Sequence, residues 1–232
     1  MRQLDRRMSL RLRVRRTIRR WRHDKRLERF HFIHIPKNAG QSVRDALYLI
    51  PEVSLSEPFH YRYVDIADTV GRHLRYFAVV RNPWSRTASR YQFSRQIAAH
   101  WPTSDPRRLF IANASFEDFV RQQRIFPIPE HPGQPWMGPL SSWFNQLEWI
   151  RDENGRVTCD CLRMESIGDD LNAYLGRPVS IRRRNVTQAR YDYRSMYTDE
   201  LVTIVGRQFQ DDIDYFGFTF EGPAIRNITA AK

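Results

Sequence analysis

The sequence predicts a three-layer α/β fold with a mostly parallel central sheet flanked by helices. Two apolar stretches point to it, one around Phe32, Ile33 and Ile35 and one over 74–80 (LRYFAVV). Both are rich in β-branched and aromatic residues without clear alternation, as strands buried on both faces are. The third observation is that each is followed by a turn and then by a segment of helical period. Strands alternating with helices pair in parallel, because the helix returns the chain to the same end of the sheet.

The elements follow in order. Pro36 stops the first strand, and Gly40 lets the backbone turn and approach a ligand closely. A helix over about 40–50 places Val43, Ala46, Leu47 and Ile50 at helical spacing. Residues 51–58, bounded by prolines, are expected to be a connector, and 64–70 a short helix. After the strand at 74–80, Pro83 suits the first position of another helix, which carries Thr87, Ala88, Ser89, Arg90 and Tyr91. Residues 100–142, rich in Pro and Trp, are expected to be irregular apart from a short helix at 116–123. A third strand is predicted at 157–164, a helix at 168–175, and a final amphipathic helix at 199–214. In the third strand Cys159 and Cys161 share one face, where a bridge across one residue would be strained and two ligands cannot close a zinc site. They are expected to be reduced core thiols.

The 232 residues suffice for one domain with a sizeable core. The net charge of +12 is concentrated at one end: residues 1–29 hold thirteen Arg or Lys against Asp5, Asp24 and Glu28, a net of +10, leaving +2 for the rest. The chain therefore divides into an Arg-rich basic segment, 1–29, and a folded domain, 30–232. The domain as a whole is not a basic nucleic-acid protein, and no nucleic-acid partner is expected. In the basic segment Leu10, Val14, Ile18 and Trp21 fall on one helical face. A helix that packs this stripe on the body is ranked first, and contact with an anionic membrane surface second. No window approaches eighteen consecutive apolar residues, and the start of the chain lacks the apolar core of a secretory signal. A cytoplasmic location, peripheral to the inner membrane face if the basic segment binds lipid, is the expectation.

The strand–loop–helix over 30–47 is an anion-binding device. Backbone N–H groups at the start of a helix, and the positive end of its dipole, converge on one point. Lys37 adds a full charge within Pro36-Lys37-Asn38-Ala39-Gly40-Gln41-Ser42. This is a P-loop-like arrangement but not the nucleoside triphosphatase pattern, which needs Lys after its second Gly and an adjacent hydroxyl. At the end of the strand at 74–80, where a P-loop kinase keeps an Asp for magnesium, the chain places Arg81, followed within two helical turns by Ser89. A cation and a hydroxyl suit a second phosphate instead of a metal. Two phosphate sites on neighbouring strand ends fit a nucleotide phosphorylated at both ends of its ribose, 3′-phosphoadenosine-5′-phosphosulfate.

The chain resembles the carbohydrate-type sulfotransferases, the group of heparan sulfate 2-O-sulfotransferase and its bacterial relatives. Their first motif, roughly F-I-H-I-P-K-T-A-G-T-S, corresponds to residues 32–42, with Asn38 and Gln41 where Thr is common. Their second, roughly F-V-R-N-P-x-x-R-x-x-S-x-Y, corresponds to 79–91. Met164-Glu165, Asn185-Val186-Thr187 and Tyr215-Phe216-Gly217-Phe218 are similar too, so the resemblance spans about 30–220. It implies that Lys37 and the N–H groups of Asn38, Ala39, Gly40, Gln41 and Ser42 hold the 5′-phosphosulfate. It implies that Arg81 and Ser89 hold the 3′-phosphate, with Asn185, Thr187 and Arg190 closing over the nucleotide.

Sulfuryl transfer leaves negative charge on the bridging oxygen, which Lys37 and the N–H donors would neutralise without a metal. The acceptor hydroxyl needs a base, and His60 is the first choice, against an ordinary surface histidine beside aromatics. His131 and Glu130 come next, and His34 is expected to be a core histidine within the strand. Trp101, Trp136, Trp143 and Trp149 offer an aromatic wall for a sugar, although Trp143 and Trp149 are better read as core. The expected activity is in-line, metal-independent sulfuryl transfer from 3′-phosphoadenosine-5′-phosphosulfate to a hydroxyl of a glycan, glycolipid or other small acceptor. The alternatives are a P-loop small-molecule kinase and a non-catalytic nucleotide- or membrane-binding module.

Overall fold

Among the described residues four strands form one sheet in which every pairing is parallel: β1 (Phe30–Ile33), β2 (Val53–Leu55), β3 (Arg75–Val80) and β4 (Cys159–Arg163). This computed structural model describes residues 27–55, 60–98, 103–104, 106–122, 144–181 and 192–229. The sheet order is β2-β1-β3-β4. Phe32 pairs with Leu55 on one side and Phe77 on the other, and Val80 of β3 pairs with Arg163 of β4.

Pleating sends alternate residues to opposite faces, and each face is covered by helices. On one face Phe32, Phe77, Val79 and Leu162 pack with Val43 and Leu47 of α1 (Gly40–Leu47) and Leu171 of α7 (Ile167–Leu175). On the other, Ile33, Tyr76, Ala78 and Val80 meet α2 (Tyr63–Val70), α3 (Pro83–Ala98), α5 (Phe116–Gln122) and α6 (Leu147–Ile150). The same cluster takes in α8 (Asp199–Gln208) and α9 (Gln210–Phe216). The fold is thus a three-layer α/β sandwich with an all-parallel sheet.

This strand order fixes where a ligand would bind. From β1 the chain moves outward to β2, then crosses back to place β3 on the other side of β1. Loops leaving the ends of β1 and β3 therefore run to opposite sides and leave a crevice between them, the switch point of an open parallel sheet.

Several elements differ from the sequence expectation. The connector at 51–58 contains β2, a three-residue edge strand that the flanking prolines conceal. Within 100–142 a further helix, α4 (Pro106–Asn113), packs along α3 and buries Ile111. The third strand is shorter than 157–164, because Val157 makes an antiparallel bridge to Arg151 instead. His34 lies beyond the end of β1, not within it. The helix expected at 199–214 is two, separated at Phe209, whose buried backbone leaves the helical region at φ −110° and ψ 31°. Cys159 and Cys161 are both buried and unbridged, and Trp149 is wholly buried in the core. No helix among the described residues is long and apolar enough to cross a membrane.

Candidate functional site

The loop between β1 and α1 is built to expose backbone donors. Lys37 and Ala39 both have left-handed backbone angles, φ 70° and 57°, unusual for residues with a side chain. Such positions turn successive N–H groups toward one concave side, a nest for an anion. The first bond closing α1 runs from the Val43 N–H to the Ala39 carbonyl, so the N–H groups of Gly40, Gln41 and Ser42 lie ahead of the helical ladder. Gly40 is needed for space: a Cβ there would fall 1.7 Å from Nε2 of the buried His34.

The loop after β3 meets the first directly. The Arg81 guanidinium donates from Nη1 to the Lys37 carbonyl at 3.0 Å and from Nε to the Ser85 hydroxyl at 3.0 Å. Asn82 caps α3, its Oδ1 accepting the N–H groups of Trp84 and Ser85. Its own amide donates to the carbonyls of Thr219 and Gly222, and its backbone N–H donates to Glu165 Oε1. Pro83 opens α3 as expected. Ser85, not Ser89, is the hydroxyl bonded to Arg81; Ser89 lies half-buried one turn further on. Positions 85, 89 and 93 continue one stripe of α3, and the Lys37 ammonium sits 3.7 Å above the centre of the Phe93 ring at its far end.

A buried hub, which the sequence reading did not single out, ties the two loops. Gln146 Oε1 accepts from Asn38 Nδ2 at 2.7 Å and from the Arg81 N–H at 2.8 Å. Gln146 Nε2 donates to the Arg81 carbonyl and to Asp212 Oδ2. Asp212, fully buried, also accepts the backbone N–H groups of Gln146 and Leu147. Arg86 adds a strut, donating to the carbonyls of Pro36 and Phe144 from a buried position near Asp212. One sequence signal pointed here. Leu201, Val205, Phe209, Asp212 and Phe216 form the buried stripe of α8 and α9, and an acid on an apolar stripe demands buried partners.

His60 joins the site although 26 residues separate it from His34 in the chain. Its Nδ1 lies 2.8 Å from the His34 carbonyl. A carbonyl only accepts, so Nδ1 carries the proton and Nε2 is left with its lone pair. The two imidazoles are 4.1 Å apart, and the His60 ring meets Trp149 edge-on. Burial, with Arg44 and Lys37 nearby, outweighs that hydrogen bond and holds His60 below its ordinary pKa. His34 is pushed well down by burial and by His60. Both rings are therefore neutral at physiological pH.

Burial, then Arg81 and Arg90, brings Lys37 down to about 7. Burial lowers Arg81 to about 10 against the pull of Glu165, so it stays charged at neutral pH. Lys37, Arg81 and the donors at the start of α1 thus concentrate positive potential at the switch point, beside a histidine that can accept a proton. The structure brings together Lys37, Asn38, Ala39, Gly40, Gln41, Ser42, His60 and Arg81. Asn38 faces inward, its amide donating to Val79 and Gln146, so within the loop it is a structural anchor. Asn185, Thr187, Arg190, Glu130, His131, Trp101, Trp136 and Trp143 lie outside the described residues, as do residues 1–26 of the basic segment. The chain matches no protein-family model, no curated protein and no solved structure.

Proposed function

We propose that the protein is a sulfotransferase that moves a sulfuryl group from 3′-phosphoadenosine-5′-phosphosulfate to a hydroxyl of a glycan or another small acceptor. The observation that carries this reading is the direct contact between the two loops: Arg81 bonds the carbonyl of Lys37, so two cationic loops share one crevice. One nucleotide with phosphates on both sides of its ribose would span them, its 5′ end on the α1 loop and its 3′-phosphate toward Arg81.

The residues then divide the chemistry. His60 Nε2 accepts the proton of the acceptor hydroxyl as its oxygen attacks sulfur in line. The new oxygen–sulfur bond forms while the bond from sulfur to the bridging oxygen breaks. That electron pair stays on the departing 5′-phosphate, where Lys37 and the N–H groups of residues 38–42 offset the charge. These cations and donors supply the positive charge this step requires, so the transfer is proposed to run without a metal. The expected location is cytoplasmic, at the inner membrane face if residues 1–29 engage anionic lipid.

The test is transfer of labelled sulfuryl groups to a panel of glycans, glycolipids and small alcohols. Wild-type protein is expected to label at least one acceptor with a chelator present, and Lys37→Ala to lose most of that activity. Turnover of ATP with magnesium but not of the sulfuryl donor would replace this reading with the kinase.

A further inference from the structure

We infer that Gln146, oriented by Asp212, is a positioning residue that sets the spacing between the two loops and makes the site selective for a ligand bearing two separated phosphates. This rests on the function proposed above. Gln146 makes three bonds to the loops, one to Asn38 and two to the backbone of Arg81. A single planar amide therefore spans the crevice floor.

The amide cannot turn over. Its NH2 must face acceptors, and Asp212 Oδ2 at 3.2 Å and the Arg81 carbonyl at 2.9 Å are such groups. Its oxygen faces two donors, Asn38 Nδ2 at 2.7 Å and the Arg81 N–H at 2.8 Å. Rotation by half a turn would set donors against donors and a carbonyl against a carboxylate. Asp212 is itself held by the N–H groups of Gln146 and Leu147, which start α6, so the frame is anchored in the core. The Asn38 amide also donates to the carbonyl of Val79 on β3, carrying the tie into the sheet. Two loops tied at this many points move together, so the distance between their anion sites is built in before a ligand arrives, and preorganisation of that kind is expressed as selectivity.

The experiment is calorimetric titration with adenosine 5′-monophosphate and 3′-phosphoadenosine 5′-phosphate, read as the ratio of their dissociation constants. The wild-type ratio is expected to be large, and Gln146→Leu to reduce it by about tenfold or more, the equivalent of roughly one lost hydrogen bond to a charged group. Gln146→Met serves where the leucine variant does not fold. It keeps the unbranched length but offers no N–H to Asp212 and the Arg81 carbonyl and no amide oxygen to Asn38 and the Arg81 N–H, so the ratio should fall in the same way. A folded variant of either kind that keeps the wild-type ratio would overturn the positioning role and leave the sulfotransferase reading intact. On wild-type protein, equal affinity for the 3′,5′- and 2′,5′-bisphosphates would overturn it too, since a fixed spacing must tell them apart. Wild-type protein with no preference for the bisphosphate over the monophosphate would overturn the reading itself, and the inference with it.

Discussion

The imidazole of His34 occupies the space into which a side chain on Gly40 would project, with Nε2 only 1.7 Å from an ideal Cβ. The ring has little room to retreat. It lies against His60 at 4.1 Å between centroids and stacks with Phe32 at 6.0 Å. Gly40→Ala is therefore expected to push the ring or the start of α1 aside, at a cost of about 1–3 kcal/mol, as overpacking of a buried site generally costs. A lowered urea midpoint with an unchanged slope would register it. An unchanged midpoint would mean that the loop yields freely, contrary to a rigid anion nest.

The His60 assignment makes a prediction in pH. Its pKa is lowered from 6.5 by burial, and only the neutral ring can accept a proton. The rate should rise with pH through that lowered value and turn down again where Lys37 loses its proton, near 7 in the free protein. The acid limb of kcat/KM is thus expected below pH 6.5. His60→Gln should erase the limb and lower the rate about 10²- to 10⁴-fold, the usual contribution of a general base. A limb that survives the substitution would assign the base elsewhere.

Lys37 carries a different pH signature. At about 7 it is part-neutral in the free protein near neutral pH, whereas a bound anion favours the ammonium. Binding of 3′-phosphoadenosine 5′-phosphate at pH 8 should therefore take up protons and weaken as pH rises. Calorimetry in buffers of different ionisation enthalpy measures the uptake, and Lys37→Met should abolish it. The sign for stability is opposite to that for binding. The unfolded lysine titrates at 10.5, so between about pH 7 and 10.5 the unfolded chain holds the extra proton and this group's effect on stability improves as pH rises. Removing the buried charge should accordingly raise the melting temperature of the ligand-free protein at pH 7.

Asp212 is a structural linchpin by the same logic of satisfaction. Its carboxylate accepts two N–H groups of Gln146 and one of Leu147 in the core. Asp212→Ala strands these buried donors and is expected to cost about 3–5 kcal/mol, the range for breaking a buried charged network from one side. Asp212→Asn keeps one acceptor oxygen and should cost less. Equal midpoints for wild type and the alanine variant would show that water replaces the carboxylate.

The layered α/β plan and the position of both loops can be read along the chain alone. The reason is that these depend on near neighbours. Buried strands show as apolar runs, Pro36 and Pro83 punctuate the chain, and the helices keep their 3.6-residue period, all within a dozen residues. Lys37 and Arg81 were legible because each stands at a strand end, and parallel strands bring such ends together.

Other features depend on packing between distant parts of the chain. β2 is three residues whose strand character comes from pairing with β1, and no local period marks it. Gly40 looked like a turn glycine, while its actual constraint is the ring of His34. Ser85 rather than Ser89 meets Arg81, a choice set by how α3 rotates against the loop. Gln146 and Asp212 stand 66 residues apart and are joined because the break at Phe209 and the start of α6 meet in the core. Periodicity tells which face of an element is buried. Which polar groups on that face find partners is settled by residues distant in the chain, because a buried donor or acceptor is tolerated only where packing delivers its complement.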